Sequence, residues 1–203
     1  VLRISGFVVK CLGLLLVLSG TVGVSTASAG YIMATGDETP MFYAGTPDNN
    51  VFFNSVLGTG TSVLVHETVC PACGPNLSGY YDSLPGVTSS LVSGDITAGL
   101  LSGVDLFITG LTGGPLSPGE VTALEVFLDA GGSLLFSGDY TYSVAAVNSA
   151  LAALGSGLSL YGPPLDSGTW FASVLPDPLT AGVSSFQYGY AYGVSGGTPL
   201  FLR

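Results

Sequence analysis

The sequence predicts an α/β domain with a doubly wound, mostly parallel open sheet and extra strands at its C-terminal edge. Two patterns predict this fold class. Short apolar runs alternate along the chain with segments of helical periodicity, and such runs are typical of parallel strands that crossover helices bury on both faces. After residue 163 this alternation gives way to an aromatic strand pattern, which predicts loops and added edge strands over 163–203.

The first part of the domain contains two predicted strands and a helix. Tyr31–Thr35 is an apolar run followed by Gly-Asp-Glu, as expected for a buried strand that ends in a loop. Pro47 occupies a first helical position, where its missing N–H is not needed, and Gly58 ends the helix. Ser62–His66 is the second predicted strand.

The second part of the domain alternates further strands with helices. A short helix is predicted over 95–101, and another begins at the capping box of Ser117 and Glu120 and ends at Gly131. A third helix covers 143–154, because apolar side chains recur on one helical face. The predicted strands are 104–109, 133–136 and 158–161.

The first 29 residues have the features of a secretory signal peptide. Arg3 and Lys10 precede an apolar run, and Ala27-Ser-Ala29 supplies the small residues of a cleavage site. The run breaks well before the roughly 20 apolar residues that a membrane span needs, so no span is expected after cleavage. We expect residues 30–203 to form a single domain, secreted into the periplasm or onto a bacterial cell surface. Val1 at the start and an apolar run at the end further predict a longer natural chain.

The charge balance excludes nucleic acid as a partner. The chain has 13 acidic and 3 basic residues, and the basic residues stand at positions 3, 10 and 203. Without a basic cluster a protein cannot neutralise phosphates, which supply most of the affinity in nucleic-acid binding. The single histidine also excludes mechanisms that need two, and the acidic surface predicts solubility in an extracytoplasmic space.

A succession of motifs gives the chain a resemblance to a known family. The motifs are Val104–Gly110, Leu116–Glu120, Val126–Phe136, Asn148–Gly155 and Asp177–Val183. Their order resembles the class I glutamine amidotransferase-like superfamily, and within it the exported members that are not amidotransferases and have a flavodoxin-like sheet. The resemblance covers residues 31–183, and it implies a fold rather than an activity.

The chain departs from this family where the chemistry is carried out. The resemblance implies a nucleophilic cysteine in the turn after the strand Ser133–Phe136 and a histidine near the end of the domain. That turn instead contains Asp139, and no histidine follows His66. A carboxylate cannot replace a thiolate in acyl transfer, so we expect neither glutaminase nor protease activity of this type.

Candidate ligand-binding residues follow the predicted strands. In open α/β sheets, ligands bind at the carboxyl ends of the strands. Carboxylates that converge there can hold Ca²⁺ or Mg²⁺. The alternative, which we favour and which needs no cofactor, is that Asp37 and Asp139 cap turns and helix N-termini. The candidates at these ends are Asp37, Glu38, Glu67, Thr109, Gly110, Asp139 and Tyr140.

Two cysteines form a closely spaced pair in the loop after the second predicted strand. Together with His66, the sulfurs of Cys70 and Cys73 offer three soft ligands for zinc. In an exported protein we favour a structural disulfide over this zinc site. Free or redox-active thiols are a third interpretation. We disfavour a thioredoxin-like role, because that motif opens a helix whereas 74–76 reads Gly-Pro-Asn.

Two patterns near the C-terminus invite functional interpretations. Phe186, Tyr188, Tyr190 and Tyr192 lie on one face of a predicted strand. With Trp170 they could stack on sugar rings, but we favour burial against a neighbouring element. The segment 193–197 fits the G-x-S-x-G nucleophile pattern, yet no helix, acid or histidine follows it, so a glycine-rich turn is predicted.

Three functions are compatible with these patterns. The first is an exported, non-catalytic interaction or structural module for an extracytoplasmic protein or glycan, which predicts a partner-facing patch and no pocket of clustered titratable groups. The second is a metal-dependent hydrolase, which predicts that Asp37, Glu67 and Asp139 converge. The third is a carbohydrate-binding domain, which predicts exposed coplanar rings among Trp170 and 188–192. We favour the first.

Overall fold

A five-stranded, all-parallel sheet forms the centre of the protein. The computed structural model describes residues 30–139, 141–164, 170–189 and 191–202. The side chains of residues 141, 142 and 170 are not described, and the predicted signal peptide, Tyr140 and Tyr190 lie outside the described residues. The strands are β1 (Ile32–Thr35), β2 (Ser62–His66), β3 (Thr88–Val92), β4 (Leu106–Thr109) and β5 (Ser133–Ser137). They pair in the order β1-β5-β4-β2-β3. The predicted fold class is confirmed.

One predicted strand belongs elsewhere, and one strand was not predicted. The segment predicted as the fifth parallel strand forms β6 (Ser159–Tyr161), which pairs antiparallel with β9 (Gly193–Ser195) in a separate two-stranded sheet. The fifth member of the parallel sheet is β3. Its sequence, Thr-Ser-Ser-Leu-Val, lacks an apolar run because β3 lies at the edge and three of its five residues are exposed.

Three of the predicted helices are confirmed and one prediction is wrong. Residues 98–103 form turns rather than the predicted helix over 95–101. Two further helices were not predicted, the short α1 (Thr39–Phe42) and α3 (Cys73–Asp82). The confirmed helices are α2 (Pro47–Leu57), α4 (Pro118–Asp129) and α5 (Thr141–Ala153).

The sheet is buried on both faces, as its apolar runs predict. Along β4, Leu106 and Ile108 join one core and Phe107 joins the other, because successive side chains of a strand point to opposite faces. Helices α2 and α3 contribute to the first core, through residues such as Phe53 and Leu77, and α4 and α5 contribute to the second. The result is a three-layer arrangement with helices on each side of the sheet.

The connections determine where crevices open at the carboxyl edge of the sheet. After β1 and β2 the chain continues to the face of α2 and α3, whereas after β4 and β5 it continues to the face of α4 and α5. The two sets of connections lie on opposite faces of the sheet and run across it in opposite directions. All of them therefore have the same hand, as is typical of crossovers between parallel strands. Among these four strands, the chain therefore diverges to opposite faces between β1 and β5 and between β4 and β2, and such points are where α/β proteins bind ligands.

The C-terminal segment adds antiparallel strands beside β1, as predicted. Strands β7 (Trp170–Val174), β8 (Phe186–Tyr188) and β10 (Phe201–Leu202) form a sheet in the order β10-β7-β8. Phe186 and Phe201 stack with ring centroids 3.9 Å apart, and Phe52 of α2 packs edge-on against both rings. The amide of Tyr192 donates to the carbonyl of Gly36, directly after β1. Within the described ranges, no helix combines the length and apolar character needed to cross a membrane.

The capping box of α4 gives a test of the fold. Glu120 N–H donates to Ser117 Oγ at 3.3 Å, and Ser117 N–H donates to Glu120 Oε2 at 2.8 Å. We expect Ser117→Ala to lower the free energy of unfolding by about 1 kcal/mol, because an N-terminal amide of α4 loses its acceptor. Urea denaturation measures the change. The control is Ser102→Ala at an exposed turn residue, and an equal loss in both variants would contradict the prediction.

Candidate functional site

The side chain of Glu38 joins three strand ends at the carboxyl edge of the sheet. Glu38 follows β1 and is 1% exposed. Its Oε1 accepts a hydrogen bond from Ser137 Oγ at the end of β5 (3.0 Å), and its Oε2 accepts one from the backbone N–H of Cys70, after β2 (2.8 Å). The carboxyl group therefore bridges the crevice between β1 and β5 and reaches the loop that follows β2.

The second crevice, between β4 and β2, is closed by Thr68. Its hydroxyl contacts Thr109 Oγ1 at 3.0 Å and accepts from the backbone N–H groups of Gly110 and Leu111 at 3.3 and 3.1 Å. A Cβ atom at Gly110 would lie 2.5 Å from Glu38 Oε1 and 2.6 Å from the carbonyl oxygen of Thr68. Only glycine therefore allows the end of β4 to approach the carboxyl group this closely.

Asp37 ties the C-terminal segment to the end of β1. It is 2% exposed, and its Oδ1 accepts from the backbone N–H of Thr39, the first residue of α1, at 2.7 Å. Its Oδ2 accepts from the backbone N–H of Gly189. Both carboxylate oxygens thus serve as hydrogen-bond acceptors within the fold.

Three carboxyl groups with raised pKa values, Asp37, Glu38 and Asp139, share this edge of the sheet. Burial is the main cause for each, and it raises the pKa of Glu38 to about 7 and that of Asp139 to about 6. The charges of Asp139 and Asp37 raise the pKa of Glu38 further, and Asp37 adds to the rise for Asp139. Burial also raises the pKa of Asp37, against its hydrogen bonds to Gly189 and Thr39. The described ranges contain no lysine or arginine to balance these charges.

A disulfide joins Cys70 and Cys73 beside Glu38. One ligand atom of Glu38 and the two sulfurs all lie within 4.8 Å of one another. Helix α3 begins at Cys73, so the expectation that Gly-Pro-Asn prevents a helix here is wrong. Pro75 falls in the first helical turn, where the missing N–H of proline leaves no hydrogen bond unmade.

Other predicted site residues lie apart from this group. His66 Nδ1 contacts Thr68 Oγ1 at 2.8 Å and its Nε2 contacts the carbonyl oxygen of Gly94 at 2.9 Å, so both ring nitrogens are engaged. With the two sulfurs bonded to each other, His66, Cys70 and Cys73 do not form a zinc site in this state. Glu67 is exposed and does not join the grouped side chains, while Tyr140 lies outside the described residues.

The aromatic strand faces the interior. Tyr188 and Tyr192 are buried and so present no open stacking surface, and Trp170 is described by its backbone alone. Tyr188 and Tyr192 help to enclose an apolar cavity of about 570 Å³ between β1, α2 and the C-terminal strands. Ser195 lies in β9 with its hydroxyl 2.7 Å from that of Ser159, and a turn follows it rather than a helix.

Comparisons with known proteins support the fold. No protein-family model matches the sequence, and no curated protein matches it. The structure is similar to a solved structure described as the mmIFT52 N-terminal domain, with a TM-score of 0.50 and 16% sequence identity over 70% of this chain and 72% of that chain. A likeness at such low identity bears on the fold alone. The protein is thus an α/β domain with an open parallel sheet.

The close approach at Gly110 predicts a large effect of one methyl group. Gly110→Ala should lower the free energy of unfolding by about 1–3 kcal/mol, because the new Cβ would overlap the Thr68 carbonyl and the Glu38 carboxyl group. Gly113→Ala is the matched control, since a Cβ there meets nothing within 4 Å. Denaturant melts compare the two, and a Gly110→Ala protein as stable as the control would refute the packing described for this crevice.

The raised pKa of Glu38 predicts how stability varies with pH. A carboxyl with a higher pKa in the folded protein binds more protons when folded, so its stabilising contribution is full at low pH and is lost as pH rises through the folded value. For Glu38 this window runs from its ordinary pKa of 4.5 to about 7. We expect the free energy of unfolding of the wild type, relative to Glu38→Gln, to fall across this window.

Urea melts at several pH values measure this difference. The pKa values of Asp48 and Glu120 are lowered by hydrogen bonds, so these groups make the protein more stable as pH rises. Both variants share this effect, and taking the difference between them removes it. Glu67→Gln, which removes an exposed carboxyl group from the same end of the sheet, is the control and should follow the wild type. A constant difference between wild type and Glu38→Gln from pH 4.5 to 7 would count against the buried, charge-poor environment of Glu38.

Proposed function

We propose that the protein is an exported member of the class I glutamine amidotransferase-like superfamily that has lost acyl-transfer chemistry and acts as an extracytoplasmic interaction or structural module. The observation that carries this proposal is the turn after β5, where Asp139 stands in place of the family nucleophile. His66, the single histidine of the chain, is held by Thr68 and Gly94 and cannot serve as a base for that turn.

The hydrogen bonding of the carboxyl cluster supports a structural role. The module hypothesis expects no clustered titratable pocket, whereas Asp37, Glu38 and Asp139 do share one edge of the sheet. However, Asp37 and Glu38 are buried and every one of their carboxylate oxygens already accepts a hydrogen bond from the fold. Carboxyl groups committed in this way stabilise loops rather than receive substrate.

Several features support an extracytoplasmic location. The signal-peptide pattern at 1–29 addresses the chain for export. The Cys70–Cys73 disulfide is favoured in oxidising compartments and is uncommon in the cytosol. The high proportion of acidic residues suits a protein that stays soluble through charge of one sign.

An exposed apolar face supports the interaction role. Phe171 is 67% exposed and Leu202 is 48% exposed. Leu202 pairs with Ser173, two residues from Phe171 on β7, so both apolar side chains lie on the outer face of the β10-β7-β8 sheet. Exposed apolar side chains that share one face are typical of protein interaction sites.

The interaction proposal predicts a partner that depends on this face. Phe171→Ser should weaken binding of the partner by about tenfold or more, the effect of losing one central aromatic contact. Val126→Ser, at another exposed apolar residue on α4, is the matched control and should bind as the wild type does. Cross-linking in the extracytoplasmic fraction, followed by affinity measurement with the identified partner, tests this. A partner retained equally by both variants would contradict the assignment of the face.

A second candidate function, a metal-dependent hydrolase, draws support from the shared charge of Asp37, Glu38 and Asp139. Burial is the main cause of their raised pKa values, and the charges of Asp37 and Asp139 add to the rise for Glu38. A divalent cation would offset this buried negative charge. Calorimetry with Ca²⁺, Mg²⁺ and Zn²⁺, before and after reduction, separates the two candidates. The module proposal expects no tight binding, whereas tight binding lost in Asp139→Ala and kept in Asp129→Ala would establish the metal site.

A further inference from the structure

The disulfide beside Glu38 has the arrangement of an exchangeable redox pair. We propose that Cys70 and Cys73 exchange their disulfide with the dithiol of a protein substrate, and that Glu38 holds and delivers the proton that this exchange requires. This inference goes beyond the proposed interaction role, and neither depends on the other. It rests on the unequal exposure of the two cysteine residues, the start of α3 and the distance to the carboxyl group.

The two cysteines differ in access. Cys70 is half-buried and is followed by the exposed residues Pro71 and Ala72, whereas Cys73 is 3% exposed. We therefore expect a substrate thiolate to attack Cys70 rather than the buried Cys73. Attack at Cys70 makes Cys73 the leaving group, so the chain of events has a fixed direction.

The start of α3 stabilises negative charge on Cys70. The backbone N–H of Cys73, the first residue of this ten-residue helix, donates to Cys70 Sγ at 3.1 Å. A thiolate placed at a helix N-terminus is stabilised by the N–H groups and by the helix dipole. Stabilising the reduced form in this way makes the disulfide a better oxidant.

Glu38 is positioned to handle the proton of the buried sulfur. A carboxyl oxygen lies within 4.8 Å of both sulfurs, which a single bridging water or a small side-chain movement can span. Burial raises the pKa of Glu38 to about 7, so the group both gives and takes a proton near neutral pH. The charged groups that face it, Asp139 and Asp37, raise this pKa, whereas the hydrogen bonds from the Ser137 hydroxyl and the Cys70 amide lower it.

The exchange balances in two steps. A substrate thiolate attacks Cys70 Sγ to form a mixed disulfide, and the electron pair of the broken S–S bond goes to Cys73 Sγ, which takes the proton of Glu38. The second substrate thiol then gives its proton to Glu38 and attacks the substrate sulfur of the mixed disulfide, which releases the Cys70 thiolate. The substrate dithiol is oxidised to a disulfide, and the protein gains two electrons and, after Cys70 takes a proton from solvent, two protons.

The rate of reduction by dithiothreitol tests the proposal on the full chain. At several pH values from 5.5 to 8.5, samples are alkylated at timed intervals, and the alkylated cysteines are counted by mass spectrometry. We expect the native disulfide to be reduced without denaturant, and Glu38→Gln to react about tenfold more slowly than wild type at pH 6. This ratio should approach one above pH 7, where Glu38 has lost its proton. Glu67→Gln, the same change at an exposed residue, should match the wild type.

Two further variants keep the test decisive. Glutamine at 38 retains an acceptor for the Cys70 amide and a donor for the Ser137 hydroxyl, so the variant should fold, and circular dichroism checks this. Asp139→Asn removes a charge that faces Glu38 and should move the pH dependence to lower pH. Cys73→Ser should trap a mixed disulfide at Cys70 with glutathione disulfide. Equal rates for Glu38→Gln and Glu67→Gln, or a disulfide reduced only in urea, would overturn the proposal.

Discussion

A buried carboxyl group holds the carboxyl edge of the parallel sheet together. Glu38 receives hydrogen bonds from the end of β5 and from the loop after β2, and Gly110 of the β4 end leaves it the room to do so. Placing a carboxylate in the interior without a basic partner is costly. The chain meets this cost by giving the group two donors and a raised pKa, so that it is neutral below about 7.

The same edge explains why the family resemblance and the proposed chemistry differ. The turn after β5, where the resemblance implies a nucleophile, contributes Asp139, whose charge raises the pKa of Glu38. The Cys70–Cys73 disulfide, on which the proposed redox exchange rests, lies two strands away, after β2 and beside the carboxyl group. The crevices of an open α/β sheet are thus present, and carboxyl groups and a disulfide lie beside them.

Much of the fold could be predicted because burial leaves a pattern in the sequence. Strands β4 and β5 are covered on both faces and appear as apolar runs, and the capping box marks the start of α4. Edge strand β3 has no such pattern, and α3 was missed because its first turn contains glycine and proline. Asp37, Glu38 and Asp139 were candidates from their position after strands. Thr68 and Ser137 were missed, because only tertiary packing brings them to the site.

Strand β1 has a further consequence for how the molecule assembles. It comes first along the chain, yet its sheet partner is β5, and Glu38 meets a hydroxyl group 99 residues away. During synthesis β1 is made before β5, so it has no partner in the sheet until residues 133–137 have also been made. Pairings of such long range are slow to form. We therefore expect the edge that carries the carboxyl cluster to be completed late in folding, after β2, β3 and β4 have paired.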